Sequence, residues 1–180
     1  MHGPDVAPSS TVLASLDLVP ARGKALDLAM GRGRHALALA RRGFDVLGID
    51  RDAEAVNAAR FQAEREGLRL ACECRDIEAA EFTLAPATFD LVLVVNYLWR
   101  PGYATLVASL KPGAFLLYET YTLDQARFGR PTNPDFLLAP GELRAAFAML
   151  EPVVAWEGIV RGLAARAHLL ARKPHGRIGA

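Results

Sequence analysis

With 180 residues, 52% of them hydrophobic and 23% charged, the chain has the make-up of one folded domain with a sizeable core, and neither a disordered nor a fibrous protein. A formal net charge of +1 provides no broad field to draw nucleic acid or an anionic membrane, so neither is expected as a partner. No apolar run approaches the roughly 20 residues of a membrane helix, and MHGPDVAPSS lacks a basic patch leading into an apolar run, so a cytoplasmic protein is expected.

Pro8-Ser9-Ser10 offers the capped start of an N-terminal helix within residues 1–20, reaching Leu18, with Val12, Leu13, Leu16 and Val19 on its apolar side. The stretch KALDLAMGRGRHALALARRGFDVLGIDRD, residues 24–52, is the unit around which the remaining strands and helices are arranged. It reads as a strand over 24–29, a glycine turn over 30–33, a helix over 34–42 stopped by Gly43, and a second strand over 44–49 closed by Asp50. Such a right-handed crossover turns the loop after the first strand toward the crevice where ligands bind. Gly31-Arg32-Gly33-Arg34-His35-Ala36 fits a loose dinucleotide pattern, which keeps a nicotinamide-binding oxidoreductase as an alternative. Asp27 opposes that reading: just ahead of the glycines, its charge repels a pyrophosphate and attracts a cationic amine.

Asp52 caps a helix through Glu66, with Val56, Ala59, Phe61 and Ala63 as its apolar residues and Gly67 as its stop. A strand over 68–74 carries Cys72 and Cys74, whose same-face alternation is poor disulfide geometry. With no companion His or Cys cluster they make no zinc site; packing in a reducing compartment is their expected role, and no metal is expected. Residues 89–95 read as a fully buried strand ending at Asn96-Tyr97-Leu98-Trp99-Arg100-Pro101. A helix over 103–110 and a strand over 114–119 continue the alternation, which argues a doubly wound α/β sheet.

Residues 120–141 break the rhythm, carrying Tyr121, Phe128, Phe136, Leu137 and Leu138 among glycines and prolines. A long insertion with this apolar mass reads as a substrate lid, with an ordinary surface excursion as the alternative. A helix over 141–150 precedes strands over 152–158 and 163–172, antiparallel across a short turn, and a loose tail over 174–180. Arg161, Arg166, Arg172, Lys173 and Arg177 read as a solvated basic face.

DLAMGRG resembles the first motif of the class I S-adenosylmethionine-dependent methyltransferases, an acid followed by a glycine-rich turn, with Met30 where many members have Cys or Gly. Within that family, DLAMGRGRHALALA, NYLWRP and YETYT look most like the small-molecule enzymes of the tellurite-resistance type. The resemblance spans about residues 21–172. It implies a single Rossmann-like α/β domain whose mostly parallel seven-stranded sheet closes with an antiparallel C-terminal hairpin. It also implies S-adenosyl-L-methionine as cofactor and methyl transfer to a small-molecule acceptor; a non-catalytic protein that binds the same cofactor is the other alternative.

Residue by residue, the resemblance assigns Asp27, Ala29, Gly31 and Gly33 to the methionine part, Asp50 to the ribose, and Asp76 and Ile77 to the adenine, with Arg51 as a further cofactor-binding candidate. Asn96, also a cofactor contact, and Tyr97 line the transfer site as catalytic candidates, while Arg100, Tyr121, Arg127 and Arg130 are candidates for the substrate. At the amino end of the second helix, Arg32, Arg34 and His35 are further candidates to meet the cofactor carboxylate or a substrate anion, with solvent exposure as the alternative reading, above all for Arg32. Any one acid at a strand end also reads as a cap or turn residue; three at successive strand ends converge on one crevice. No base motif is present, and a sulfonium methyl group needs none unless its acceptor arrives protonated.

Overall fold

A computed structural model describes residues 7–176. Readings that fall on 1–6 and 177–180, including the start of the N-terminal segment, Arg177 and the end of the tail, lie outside the described residues. The elements are α1 (Ser10–Leu16), β1 (Lys24–Leu28), α2 (Arg34–Arg41), β2 (Asp45–Asp50), α3 (Ala53–Glu66) and β3 (Leu70–Cys74). They continue with β4 (Phe89–Val95), α4 (Tyr103–Ser109), β5 (Leu110–Tyr121), α5 (Glu142–Ala146), β6 (Glu151–Val160) and β7 (Ala164–Arg172). Seven strands form one sheet in the order β3-β2-β1-β4-β5-β7-β6. The first five are parallel neighbours, and β7 runs antiparallel between β5 and β6. The fold is the expected Rossmann-like doubly wound sheet with its closing hairpin.

Both faces of the sheet are covered, which is why its central strands are apolar on successive residues. Leu26, Leu28, Val92, Val94, Leu116, Tyr118 and Leu169 pack on one face with Leu106 of α4 and Leu143 of α5. Ala25, Leu91, Leu93, Leu117 and Leu170 pack on the other under α1, α2 and α3. Among the described residues, no helix is long and apolar enough to cross a membrane, and no group of His, Cys, Asp and Glu could hold a metal ion.

The local signals for α3 hold. Asp52 accepts hydrogen bonds from the Glu54 and Ala55 N–H groups at 2.9 and 3.2 Å, and Gly67 ends the helix at φ 64°. Met30 fits the turn because Gly48 on the neighbouring strand leaves room: a Cβ there would lie 2.2 Å from its sulfur.

Several expectations are corrected. Helix α1 is shorter than read, and the Ser9 hydroxyl does not cap it, being drawn instead to Glu119 at 2.9 Å. Phe61 is exposed, and the buried row of α3 is Ala55, Val56, Ala59 and Ala63. Cys74 is exposed because it ends the edge strand β3, so packing describes only the half-buried Cys72. Strand β5 starts at Leu110, paired with Phe89, so Lys111-Pro112-Gly113 is a distortion within it. The helix after residue 141 ends at Ala146.

The basic residues near the end are not simply a solvated face. The Lys173 ammonium donates to the Val107 and Leu110 carbonyls at 2.8 and 2.7 Å, closing the end of α4. The Arg166 side chain is only 16% exposed.

Candidate active site

The parallel register carries the three predicted acids to one edge of the sheet. Asp27 of β1 pairs with Gly48, two residues before Asp50, and Asp50 pairs with Cys74, two residues before Asp76. Asp27 is buried and its Oδ2 has no hydrogen-bond partner. Burial pushes its carboxyl up to about 7, against the pull of the Ala36 N–H and the Arg34 charge. An orphaned buried acceptor of this kind awaits a donor. Asp50 is oriented by the backbone: its Oδ2 accepts the Gly31 N–H at 2.7 Å and its Oδ1 the Asp52 N–H at 2.9 Å. Each oxygen keeps a second lone pair for a ligand. Asp76 accepts the Glu78 N–H at 2.9 Å, and Ile77 is buried in the core beneath it.

The glycines divide the work. A Cβ at Gly31 would meet nothing within 4 Å, so the space beside it is open to a ligand. At Gly33 it would lie 2.7 Å from the Ala59 Cβ, so this glycine lets α2 and α3 approach. Ala29 and Asn96, at the ends of the adjacent central strands β1 and β4, both take left-handed backbone, φ 56° and 60°. Such strain in residues with a Cβ gathers at functional sites.

Residues 25–113 match the family described as a methyltransferase domain. Over this stretch, just under half of its length, the chain is similar to the S-adenosylmethionine-dependent methyltransferases. Over 103 residues it is 34% identical to the ubiquinone biosynthesis O-methyltransferase of Acinetobacter baylyi (strain ATCC 33305 / BD413 / ADP1), covering 54% of this chain and 43% of that protein. It thus spans less than half the length of the curated relatives it matches. Among solved structures it is similar to TehB from Haemophilus influenzae, with a TM-score of 0.79 and 20% identity over 94% of this chain and 63% of that one. It is also similar to the [4+2]-cyclase SpnF, with a TM-score of 0.73 and 19% identity over 92% and 80% of the two chains.

The transfer-site candidates Asn96 and Tyr97 directly follow the end of β4. The Tyr97 hydroxyl donates to Glu78, and burial followed by that carboxylate raises its pKa, so it is held as a protonated donor. Asn96 is exposed; its N–H donates to the Glu119 carbonyl at 2.8 Å and its Oδ1 accepts from Arg166 at 2.6 Å. Arg51 is exposed beside the site.

The substrate candidates separate. The Arg100 guanidinium is consumed internally, by Glu142 at 2.5 and 3.0 Å and by the Asp135 and Leu137 carbonyls at 2.9 Å each. It acts as a strut under the 120–141 segment, which is further tied by the Thr122–Leu138 bridge and by buried Gln125, Leu137 and Leu138. Arg127 and Arg130 are on the surface, Arg127 facing only Asp124 at 3.8 Å. Tyr121 stands within the sheet edge, where its hydroxyl accepts from Arg166 at 3.0 Å.

Sequence reasoning missed the group behind Tyr121. Glu119 of β5 is fully buried; it accepts from Ser9 at 2.9 Å, from Thr11, from Arg166 at 3.3 Å, and pairs with His168 Nδ1 at 2.9 Å. Burial alone would raise its carboxyl, but the His168, Thr11 and Ser9 hydrogen bonds and the Arg166 charge outweigh it and hold it below the usual range. The Ser15 hydroxyl completes the chain at 2.8 Å from His168 Nε2. The one signal in the sequence is Arg166-Ala-His168, a polar pair on alternate positions of an otherwise apolar strand.

Proposed function

We propose that the chain transfers a methyl group from S-adenosylmethionine to a small-molecule acceptor. The observation that carries this reading is the orphaned Oδ2 of Asp27, buried at the carboxyl edge of the sheet beside the open face of Gly31. A cationic amine satisfies it, whereas a pyrophosphate set against the same glycines would meet an acid, which speaks against the nicotinamide alternative. On this reading Asp27 holds the cofactor ammonium, the Gly31 backbone lies along the methionine part, and Asp50 grips the ribose diol through its remaining lone pairs. Arg51 lies beside the ribose, and Asp76 and the Ile77 N–H take the adenine edge.

When bound, S-adenosylmethionine supplies a sulfonium methyl group that passes to the acceptor as the sulfur–carbon bond breaks with its electron pair on sulfur. The chain's part is orientation. Tyr97 is fixed as a donor and Glu119 has both oxygens engaged, so Asn96 and the Ala29 turn define where the acceptor stands and neither serves as a base. Calorimetric titration with S-adenosylmethionine tests the reading: saturable binding is expected, weakened at least tenfold by Asp50→Ala. Conversion to S-adenosylhomocysteine with a panel of acceptors distinguishes an enzyme from a non-catalytic binder. A folded wild-type chain without affinity for either molecule overturns the reading.

A further inference from the structure

The two edges of the sheet are finished differently. At one edge, β3 is five residues long, Glu73 and Arg75 place charge at its end, and the Arg60 guanidinium donates to its Cys72 carbonyl at 2.9 Å. These features blunt an edge against further pairing. At the other edge β6 runs for ten residues, pairs among the described residues only with β7, and is exposed along most of its length. Its Val153 and Ile159 are 47% and 53% exposed. A long edge of unpaired N–H and C=O groups with apolar side chains is a template for another strand.

The backbone restricts which strand fits. The Val160 carbonyl accepts the Leu163 N–H at 3.0 Å in the turn to β7, so the backbone groups of Val160 point toward β7. Alternate residues of an antiparallel strand face opposite neighbours, so Gly158, Trp156 and Val154 do the same, while Ile159, Glu157 and Ala155 present theirs outward. An added antiparallel strand must set outward residues against outward residues, and a second copy of β6 does so with Trp156 on a twofold axis. Ala155 then lies opposite Glu157 of the second copy, twice over. Beyond them Val153 meets Ile159 and Glu151 meets Arg161, matching apolar with apolar and acid with base at both ends.

The charges that close this register are free to do so. Glu151 and Arg161 are exposed; among the described residues Glu151 makes no hydrogen bond or ion pair, and Arg161 only a 3.5 Å contact with the Ser10 hydroxyl. A slide of two residues in one direction sets Glu157 against Glu157, and in the other it sets Glu151 against Ile159. Pro152 and the irregularity between Pro152 and Val154 confine the ladder to residues 154–158, so the flanking pairs meet through side chains alone.

We propose that β6 is the interface of a symmetric dimer, in which a second copy of the chain extends the sheet across its free edge. Trp156, stacked on His168 with ring centroids 5.2 Å apart, meets its counterpart on the axis. The two copies of β6 run in opposite directions, so the seven-stranded sheets join with their ligand-binding edges facing opposite ways and neither crevice is covered. The pairing stands whatever ligand the crevice holds.

Sedimentation velocity of the full chain at low salt, with Glu151 and Arg161 reversed singly and together, tests the dimer. The wild type is expected to sediment as a concentration-dependent dimer. Glu151→Arg or Arg161→Glu alone sets like charges opposite each other at both ends and should weaken association at least tenfold. The double variant restores opposite charges and should return to within threefold of the wild type. Amide hydrogen exchange gives a second readout: the Ala155 and Glu157 amides should slow as protein concentration rises, while that of Gly158, already bonded to β7, changes less. A chain that stays monomeric at about 100 μM overturns the proposal. So does a dimer indifferent to both single reversals, or one whose concentration-dependent protection lies away from β6. Melting curves of the variants establish that loss of association is not loss of fold.

Discussion

The backbone N–H of Ser9 donates to Nε2 of His35 at 3.1 Å, joining the start of α1 to the first turn of α2. Acceptance requires a neutral ring, and burial, helped by the Arg34 charge, pushes the His35 pKa down to about 4. A group depressed on folding contributes stability above its unfolded value, near 6.5 for histidine, and loses it as pH falls through the folded value. Stability is therefore expected to decline between about pH 6.5 and 4, by about 3 kcal/mol at most. His35→Gln, which can accept the same bond without titrating, should flatten that part of the profile. Chemical denaturation across the range checks this, and an unchanged slope in the variant refutes it. Glu119, held below the usual carboxylate range, adds its own loss at lower pH, below about 4.5.

Asp27 works in the opposite direction. Its carboxyl is raised to about 7, so its contribution to stability is fully present below the unfolded value near 3.9 and lost as pH rises through 7. Asp27→Asn should raise the Tm at pH 8 and leave it nearly unchanged at pH 4. The same substitution should cost at least tenfold in affinity for S-adenosylhomocysteine at pH 7.5. In the wild type that affinity should strengthen from pH 5.5 to 7.5 as the carboxylate forms, a dependence absent from the variant.

Ala29 is held in a left-handed conformation at φ 56° that glycine adopts freely. Ala29→Gly is expected to stabilise the chain by about 1 kcal/mol in urea denaturation. Gly33→Ala should destabilise by about 2 kcal/mol or more, because it adds strain at φ 78° and sets a methyl group 2.7 Å from the Ala59 Cβ. Equal effects at the two positions would contradict the division of labour between them.

Arg100 anchors the 120–141 segment through Glu142 and two backbone carbonyls. Arg100→Ala should speed tryptic cleavage after exposed Arg127 several-fold and leave S-adenosylhomocysteine affinity within twofold. A parallel loss of cofactor binding would mean that the residue serves the site directly.

What the sequence made legible was what local chemistry controls. DLAMGRG, the Asp52 cap and the Gly67 stop each act over a few residues, and each appears where its pattern predicts. Phe61 went astray because its position falls between the rows 55, 59, 63 and 56, 63 that face the sheet; size was mistaken for periodicity. Arg166 and Glu119 were hidden for a different reason. Their meeting depends on the antiparallel pairing of β5 with β7, where Glu119 sits opposite His168 and Tyr121 opposite Arg166. That register is set by tertiary packing, and no short motif records it.

Ser9 and Ser15 are bonded to Glu119 and His168, partners 110 and 153 positions further along the chain. Contacts at such separation close very large loops, and their entropy is recovered only when most of the fold exists. Helix α1 is thus among the last of the described elements to find its seat. A polypeptide halted before β7 leaves it exposed, with Glu119 lacking two of the groups that hold its charge. The rim around Arg166 therefore comes into being only once β7 has been made and paired, after every strand that precedes it in the chain.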